Sequence, residues 1–383
     1  MKVALIAIAL VFLFNLTTAD ASPSVDALLA TVRKAGPGNA AQKEALAAYG
    51  ALTKQNASEI PRLLKGLDGA NPIAANWIRS AVDSIVERTL ATEGKLPLAE
   101  LETFLADRTH DPKGRRFAYE LIVNTEPSAA QRWLPKMLDD PSMELRRDAV
   151  ARVLDEAEAT LSANADTVPD LFEKALKAAR DEDQVKLASA KLKKLGREVN
   201  LPRHFGFLIN WHLVGPFDNT GKKGFDVVYP PEEKIDYSAD YAGKEDRVKW
   251  IDFTTADDYG AVDLNKTLGK HMGVVAYAAA DFESDARRPV DFRLGTMSGN
   301  KLWLNGKLLH SAAVYHAGMM VDQYIAKGEL KPGRNQILLK LCQNEQTEDW
   351  AQDWKFQLRV CDELGTAVLS SDRATASIKE TLR

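Results

Sequence analysis

The chain has 383 residues, 45% hydrophobic and 27% charged, and its 50 Lys plus Arg against 54 Asp plus Glu leave a formal net charge of -4. That length and apolar content suit two folded domains, each with a core of its own. The near balance of charge excludes the broad positive field that holds a phosphate backbone, so no nucleic-acid partner is expected. Local basic clusters such as Lys191, Lys193 and Lys194 read as a solvated helix face.

The first residues, MKVALIAIALVFLFNLTTADASPS, place Lys2 before an apolar run from Val3 to Phe14 and then the small-residue pattern Ala19-Asp20-Ala21. This is the order of a secretory leader, residues 1–21, cut after Ala21. The run is shorter than the roughly 18–20 residues a spanning helix needs, and no later segment competes with it. No cysteine lies near the cut to carry a lipid. The expected location is secreted or periplasmic, with no membrane attachment after cleavage.

From residue 22 to about 200 the apolar period is helical. Leu145, Ala149, Val153, Leu154, Ala157 and Leu161 form one stripe at 3.6-residue spacing, and Ile60, Leu63, Leu64 and Leu67 form another, as do Ile78, Val82, Ile85 and Val86. Three stretches recur: GANPIAANWIRSAV, THDPKGRRFAYELI and LDDPSMELRRDAVARVL. Each sets Asn or Asp before Pro at a helix start, where the side chain caps free amides and Pro fits the first turn. These stretches resemble HEAT repeats, although Pro72, Pro112 and Pro141 are unevenly spaced and capping alone would give a similar pattern. The resemblance implies stacked helix pairs with a surface for a protein partner. His110, beside Asp111-Pro112, stands apart from other metal-type residues and reads as a capped loop residue.

After residue 200 period two takes over. Val290, Phe292 and Leu294 alternate with polar residues, as do Ile337, Leu339 and Leu341, and then Trp354, Phe356, Leu358 and Val360. Turns such as KPGRN and DELGT separate the runs, which predicts an antiparallel β-sandwich over residues 201–368 and a tail at 369–383. The fold class is thus α+β, with an all-α helical domain at 22–200. In KLWLNGKLLH, Asn305-Gly306 suits a type I′ turn, pairing Leu304 with Lys307, Trp303 with Leu308 and Leu302 with Leu309. Leu302, Leu304 and Leu309 then face the core. Trp303 and Leu308 lie outside it and call for an apolar cover, either the last helix near Leu187 to Leu195 or the loop after Gly215, in a contact between domains.

The segment LWLNGKLLH, followed by DQYIAKGELKPGRNQILLKLC and WKFQLRV, resembles the galactose-binding-like jelly roll, the sandwich of the sugar-binding domain of family 2 glycoside hydrolases. The preceding NWHLVGPFDNTGKKGFDVVYPPE is similar to such domains in secreted planctomycete proteins that also carry helical repeats upstream. The resemblance covers about Phe205 to Asp362 and implies a fold and a possible glycan ligand; it supplies no catalytic residue.

The connection CQNEQTEDWAQDW, Cys342 to Trp354, is long for a hairpin loop. Long loops at a sandwich edge are where such modules bind, because aromatic rings stack on sugar faces and carboxylates or amides bond hydroxyls. Trp350 is the candidate platform, with Asn344, Glu348, Asp349 and Asp353 as polar partners; Trp354 is in phase with the core. Carboxylates of this kind also suit a structural calcium ion, without a spacing that requires one. His310 and His316 lack further ligands for zinc at nearby spacing, and GPFDNTGKKGF lacks the order of a phosphate loop. No serine elbow, HExxH or GxGxxG occurs, so no enzyme activity and no cofactor are expected. Cys342 and Cys361 sit in phase with Lys340 and Arg359. They are either a cross-strand disulfide, if their strands are neighbours, or two thiols under a covering element.

The sequence thus points to a secreted, non-enzymatic binding or scaffold protein. The alternative is an accessory subunit of a glycan-degrading complex with catalysis on another chain. The first expectation concerns maturation: N-terminal sequencing of the exported protein should begin at Ser22, and a chain retaining Lys2 would make the segment an anchor.

Overall fold

The structure is a computed structural model that describes residues 23–38, 41–161 and 166–372. The expected leader at residues 1–21 lies outside the described residues, as does the expected tail beyond residue 372. Among the described residues no helix is long and apolar enough to cross a membrane. The protein is α+β: helices fill the first part of the chain and antiparallel sheets the second.

The helices are α1 (Val25–Val32), α2 (Gln42–Leu52), α3 (Ile60–Lys65), α4 (Pro72–Ala91), α5 (Leu98–Ala106), α6 (Pro112–Thr125), α7 (Ala129–Trp133), α8 (Met143–Leu161), α9 (Val168–Ala178), α10 (Glu182–Lys194) and α11 (Leu201–Phe205). The expected stripes are their buried faces: Ile60, Leu63 and Leu64 in α3, Ile78, Val82 and Ile85 in α4, and Leu145, Ala149, Val153, Leu154 and Ala157 in α8. Two of the three Asn/Asp-Pro pairs cap helices. Asn71 accepts from the amides of Ile73 and Ala74, each at 3.0 Å, and Asp111 accepts from Lys113 N at 2.9 Å. The third differs. Asp140 is buried and takes Arg115 in a two-pronged ion pair at 2.6 and 2.8 Å, and α8 begins two residues after Pro141, at Met143. A buried guanidinium demands a carboxylate more strongly than a helix end demands a cap. His110 is likewise held, with Nδ1 2.8 Å from Asp68 Oδ2 and its ring stacked on Phe104.

The chain divides into two compact units, residues 1–146 and 147–383. The division lies inside α8, so α9, α10 and α11 group with the sheets and not with the helices before them. A boundary at residue 200 follows the change of period, whereas the compact unit follows packing.

The β-rich part holds β1 (Asn210–Asp218), β2 (Asp240–Ala242), β3 (Arg247–Lys249), β4 (Ile251–Thr254), β5 (Val262–Asp263), β6 (Val274–Ser284), β7 (Arg288–Thr296), β8 (Gly299–Leu304), β9 (Lys307–Ala312), β10 (Tyr324–Leu330), β11 (Gly333–Gln343) and β12 (Lys355–Cys361), with short helices α12 (Pro230–Glu233) and α13 (Leu264–Thr267). A six-stranded sheet, β4-β1-β6-β11-β8-β9, faces a four-stranded sheet, β10-β7-β12-β5. Their shared core takes Leu302, Leu304, Ile337, Leu339 and Leu341 from the first, and Val290, Phe292, Leu294, Phe356, Leu358 and Val360 from the second, with Trp354 among them.

The hairpin turns at Asn305 (φ 51) and Gly306 (φ 79), both left-handed as a type I′ turn requires. Leu304 pairs with Lys307 and Trp303 with Leu308, but Leu302 pairs with His310, because a bulge intervenes. Leu309 is the extra residue and packs against the core only in part. Trp303, 9% exposed, joins an outer cluster with Val214, Phe217, Phe225 and Leu338. Its cover thus includes the connection after Gly215, the second of the two covers expected. Leu308 is 48% exposed, so the expected contact between domains through Trp303 and Leu308 is replaced by cover from within the sandwich.

Cys342 and Cys361 are free and buried. They lie in different sheets, β11 in one and β12 in the other, so a cross-strand disulfide is ruled out. Burial pushes the Cys342 thiol up to about 12 and Cys361 to about 11, which leaves both protonated and unreactive at neutral pH.

In α11, burial first and the Arg180 guanidinium second hold His204 down at about 4. The folded state thus keeps His204 neutral while the unfolded chain protonates near 6.5. The contribution of this group is unchanged above that value, falls as pH drops from about 6.5 to about 4, and is flat below, a loss of about 3 kcal/mol. Urea denaturation across this range should show the slope, and His204→Gln should remove it.

Candidate functional site

The candidate loop emerges where β11 ends at Gln343, beside the end of β1 and the start of β6. Its base is polar and ordered. Asn219 is fully buried; its amide N donates to Gly273 O at 2.8 Å, and its Nδ2 donates to Gln343 O at 2.9 Å and Tyr315 Oη at 3.3 Å. Gly273 N in turn donates to Asn344 O at 2.8 Å. The loop's Glu345 carboxylate accepts from Gly221 N. Gly273 has φ 62, and a Cβ there would meet Glu345 at 2.9 Å, so this crossing requires glycine.

Asn344 is buried and organises the loop. Its Oδ1 accepts from Gln346 N at 3.2 Å and stands 3.0 Å from His316 Nε2. The His316 proton therefore sits on Nε2, leaving Nδ1 as an acceptor. Backbone N of His316 donates to Met297 O at 2.7 Å. The ring of Trp350 meets His316 edge to face, centroids 5.3 Å apart, and 61% of Trp350 stays exposed. Beside them Lys222 Nζ lies 5.1 Å from the Tyr315 ring centre. Burial pushes the Tyr315 hydroxyl up to about 12, so it remains a neutral donor and acceptor.

The expected residues are thus distributed as follows. Asn344 and Trp350 are brought together through His316. Glu348 and Asp349 are exposed on the loop that carries Trp350, Asp349 opening a short 3-10 turn, Asp349–Ala351. Asp353 turns to Lys355, 2.9 Å away, at the start of β12. His316, Tyr315, Asn219 and Lys222 belong to the same loop end and were not singled out as ligand-binding. They come from segments distant in sequence, and only the glycines and Asn219 in GPFDNTGKKGF hinted at a fixed turn there. Among the described residues no group of three His, Cys, Asp or Glu is placed to hold a metal ion.

This arrangement offers an exposed aromatic face, an imidazole acceptor, amides and carboxylates. It can stack on an apolar ring face and exchange hydrogen bonds with hydroxyls. It shows no nucleophile activated by a base.

No protein-family model matches the chain, and no curated protein matches it. Solved structures with partial likeness include a beta-glucosidase from Kluyveromyces marxianus in complex with glucose (12% identity, 78% of this chain and 37% of that one, TM-score 0.26). A beta-glucuronidase of an uncultured Clostridium is similar at 14% identity, over 41% of this chain and 29% of that one, TM-score 0.25. An anti-sigma factor domain-containing protein from Clostridium clariflavum is similar at 13% identity, over 43% and 45%, TM-score 0.23. This chain spans less than half the length of each, and at such TM-scores the likenesses carry no argument.

Asn344 and Trp350 should separate in their effects. Asn344→Ala strands a part-buried imidazole N–H and a backbone amide and should cost about 1–2 kcal/mol in chemical denaturation. Trp350→Ala, at an exposed position, should change stability by no more than about 1 kcal/mol.

Proposed function

We propose that this is a non-enzymatic binding protein that works outside the cytoplasm. Its β-sandwich is a galactose-binding-like jelly roll that contacts a glycan through Trp350, and its HEAT-like helices contact a protein partner. The observation that carries the glycan reading is the exposed Trp350 ring, steadied edge-on by His316 over a loop whose backbone is tied down at Asn344 and Glu345. An aromatic ring left in water is tolerated singly on any surface. Here it meets His316 edge-on and shares its loop with the exposed Glu348 and Asp349, which suits the alternation of apolar faces and hydroxyl edges on a sugar.

The same loop end argues for binding without catalysis. Asp353 is engaged with Lys355, which leaves Glu348 and Asp349 without a partner carboxylate across a bond to be broken. A partner chain would then supply any glycan cleavage in the accessory-subunit version of this reading.

A glycan array with the full mature chain tests the proposal. Retention of at least one glycan class, lost in Trp350→Ala with the melting temperature nearly unchanged, is the expected result. No retention on any class, or retention indifferent to Trp350→Ala, would sink it.

A further inference from the structure

A second polar concavity lies away from the Trp350 loop, where two strands of the large sheet part. β1 pairs with β4 from Asn210 onward, but it pairs with β6 only from His212, opposite Ala279. Beyond that point, among the described residues, the β1-facing side of β6 has no strand partner, and the amide of Glu283 is met by Ser370 Oγ at 2.8 Å. The gap forms a cavity of about 280 Å³ whose polar walls include Asn210, His212, Asp252, Thr254, Asp281 and Ser370. That is near the lower end of the roughly 300–1,000 Å³ of small-molecule sites.

The walls are held in place and carry unused hydrogen-bonding capacity. His212 Nδ1 is 2.6 Å from Asp252 Oδ1; the carboxylate only accepts, so in the neutral ring Nδ1 bears the proton and Nε2 is an acceptor. The ring is steadied from behind by Tyr237, centroids 3.9 Å apart. Thr254 Oγ1 donates to Asn210 Oδ1 at 2.9 Å, which orients the Asn210 amide with Nδ2 as its donor. Asp281 Oδ2 is paired with Arg334 at 2.6 Å, while its Oδ1 is buried beside the Tyr237 hydroxyl with no well-aligned hydrogen bond among the described residues.

We infer that this cavity is a separate subsite for one ring of a neutral sugar. The argument is one of chemistry and size. A cation would answer Asp252, Asp281 and Asp372 but leave the Asn210 donor unmatched, and an anion would meet three carboxylates. Hydroxyl groups both donate and accept, so adjacent hydroxyls can satisfy Asn210 Nδ2, His212 Nε2 and the carboxylate oxygens together. The volume admits a single ring and not a chain. The inference rests on the cavity and stands apart from the Trp350 reading.

Saturation-transfer NMR with D-glucose, D-galactose, D-mannose and D-xylose, each offered to the full mature chain, is the test. At least one should bind in the millimolar range or tighter. The binding that persists in Trp350→Ala, which removes the loop site, should be weakened about tenfold when Asn210→Ala or Asp252→Ala is added. Asp252 is 89% exposed in its side chain and Asn210 is also exposed, so both variants should fold, which their melting curves check. No binding by any of the four at tens of millimolar overturns the subsite. Binding lost in Trp350→Ala but kept in Asn210→Ala and Asp252→Ala also overturns it, and places the sugar on the loop instead.

Discussion

Lys340 sits on β11, in the interior of the six-stranded sheet, with none of its surface exposed. A buried ammonium must be met by an opposite charge and by acceptors, or the strand cannot be covered. Glu232, from α12, lies 2.8 Å away, and Val227 O accepts at 2.6 Å. The Tyr277 hydroxyl donates to the same carboxylate, and the rings of Tyr229 and Tyr277 flank the ammonium at 5.4 and 5.8 Å. Removing either charge would strand the other, a loss of about 3–5 kcal/mol. This pair pins the long connection between β1 and β4 to the sheet, and with it the aromatic cluster that shelters Trp303.

The four-stranded sheet repeats the device with the charges in the same places, the cation on the strand and the carboxylate on the cover. Arg359, buried on β12, gives Nε and Nη2 to Asp322 at 2.6 Å each, and donates to Phe205 O and Gly365 O. Arg293 joins the same carboxylate at 2.9 Å. The segment before β10 is thus tied to one outer face as α12 is to the other. The central strands β11 and β12 are consequently covered on both sides, which explains why a cysteine next in phase to each cation is a buried thiol.

This pattern also marks where sequence reading succeeds and where it stops. Alternation along β7, β11 and β12 identified the inward residues because phase is a local property, and Asn305-Gly306 fixed the turn because both residues accept positive φ. Phase also put Lys340, Arg359 and Trp303 on outer faces, which is where they are. It could not tell that those faces are buried, since the cover comes from residues more than a hundred positions away in the case of Lys340 and Glu232. The bulge at Leu309 was hidden for a related reason: an extra residue in one strand leaves no mark in composition. At the candidate site, Trp350 and Asn344 were legible as an aromatic and an amide in a long loop. His316 was not, because its link to Asn344 is made across the sheet end.

Cover of both faces bears directly on where a ligand can reach. The second unit has five tryptophans, and four of them, Trp211, Trp250, Trp303 and Trp354, are buried in the two apolar clusters. Packing accounts for each of those four. Trp350 belongs to neither cluster, yet its neighbour His316 is bonded to a buried asparagine, so its exposure is not that of a loose side chain. A ring displayed on an anchored loop loses little conformational freedom when something stacks on it, and that lost freedom is a principal cost of binding. The gap between β1 and β6, like the loop end that carries Trp350, is a place where side chains of this unit present hydrogen-bonding groups to a concavity open to solvent.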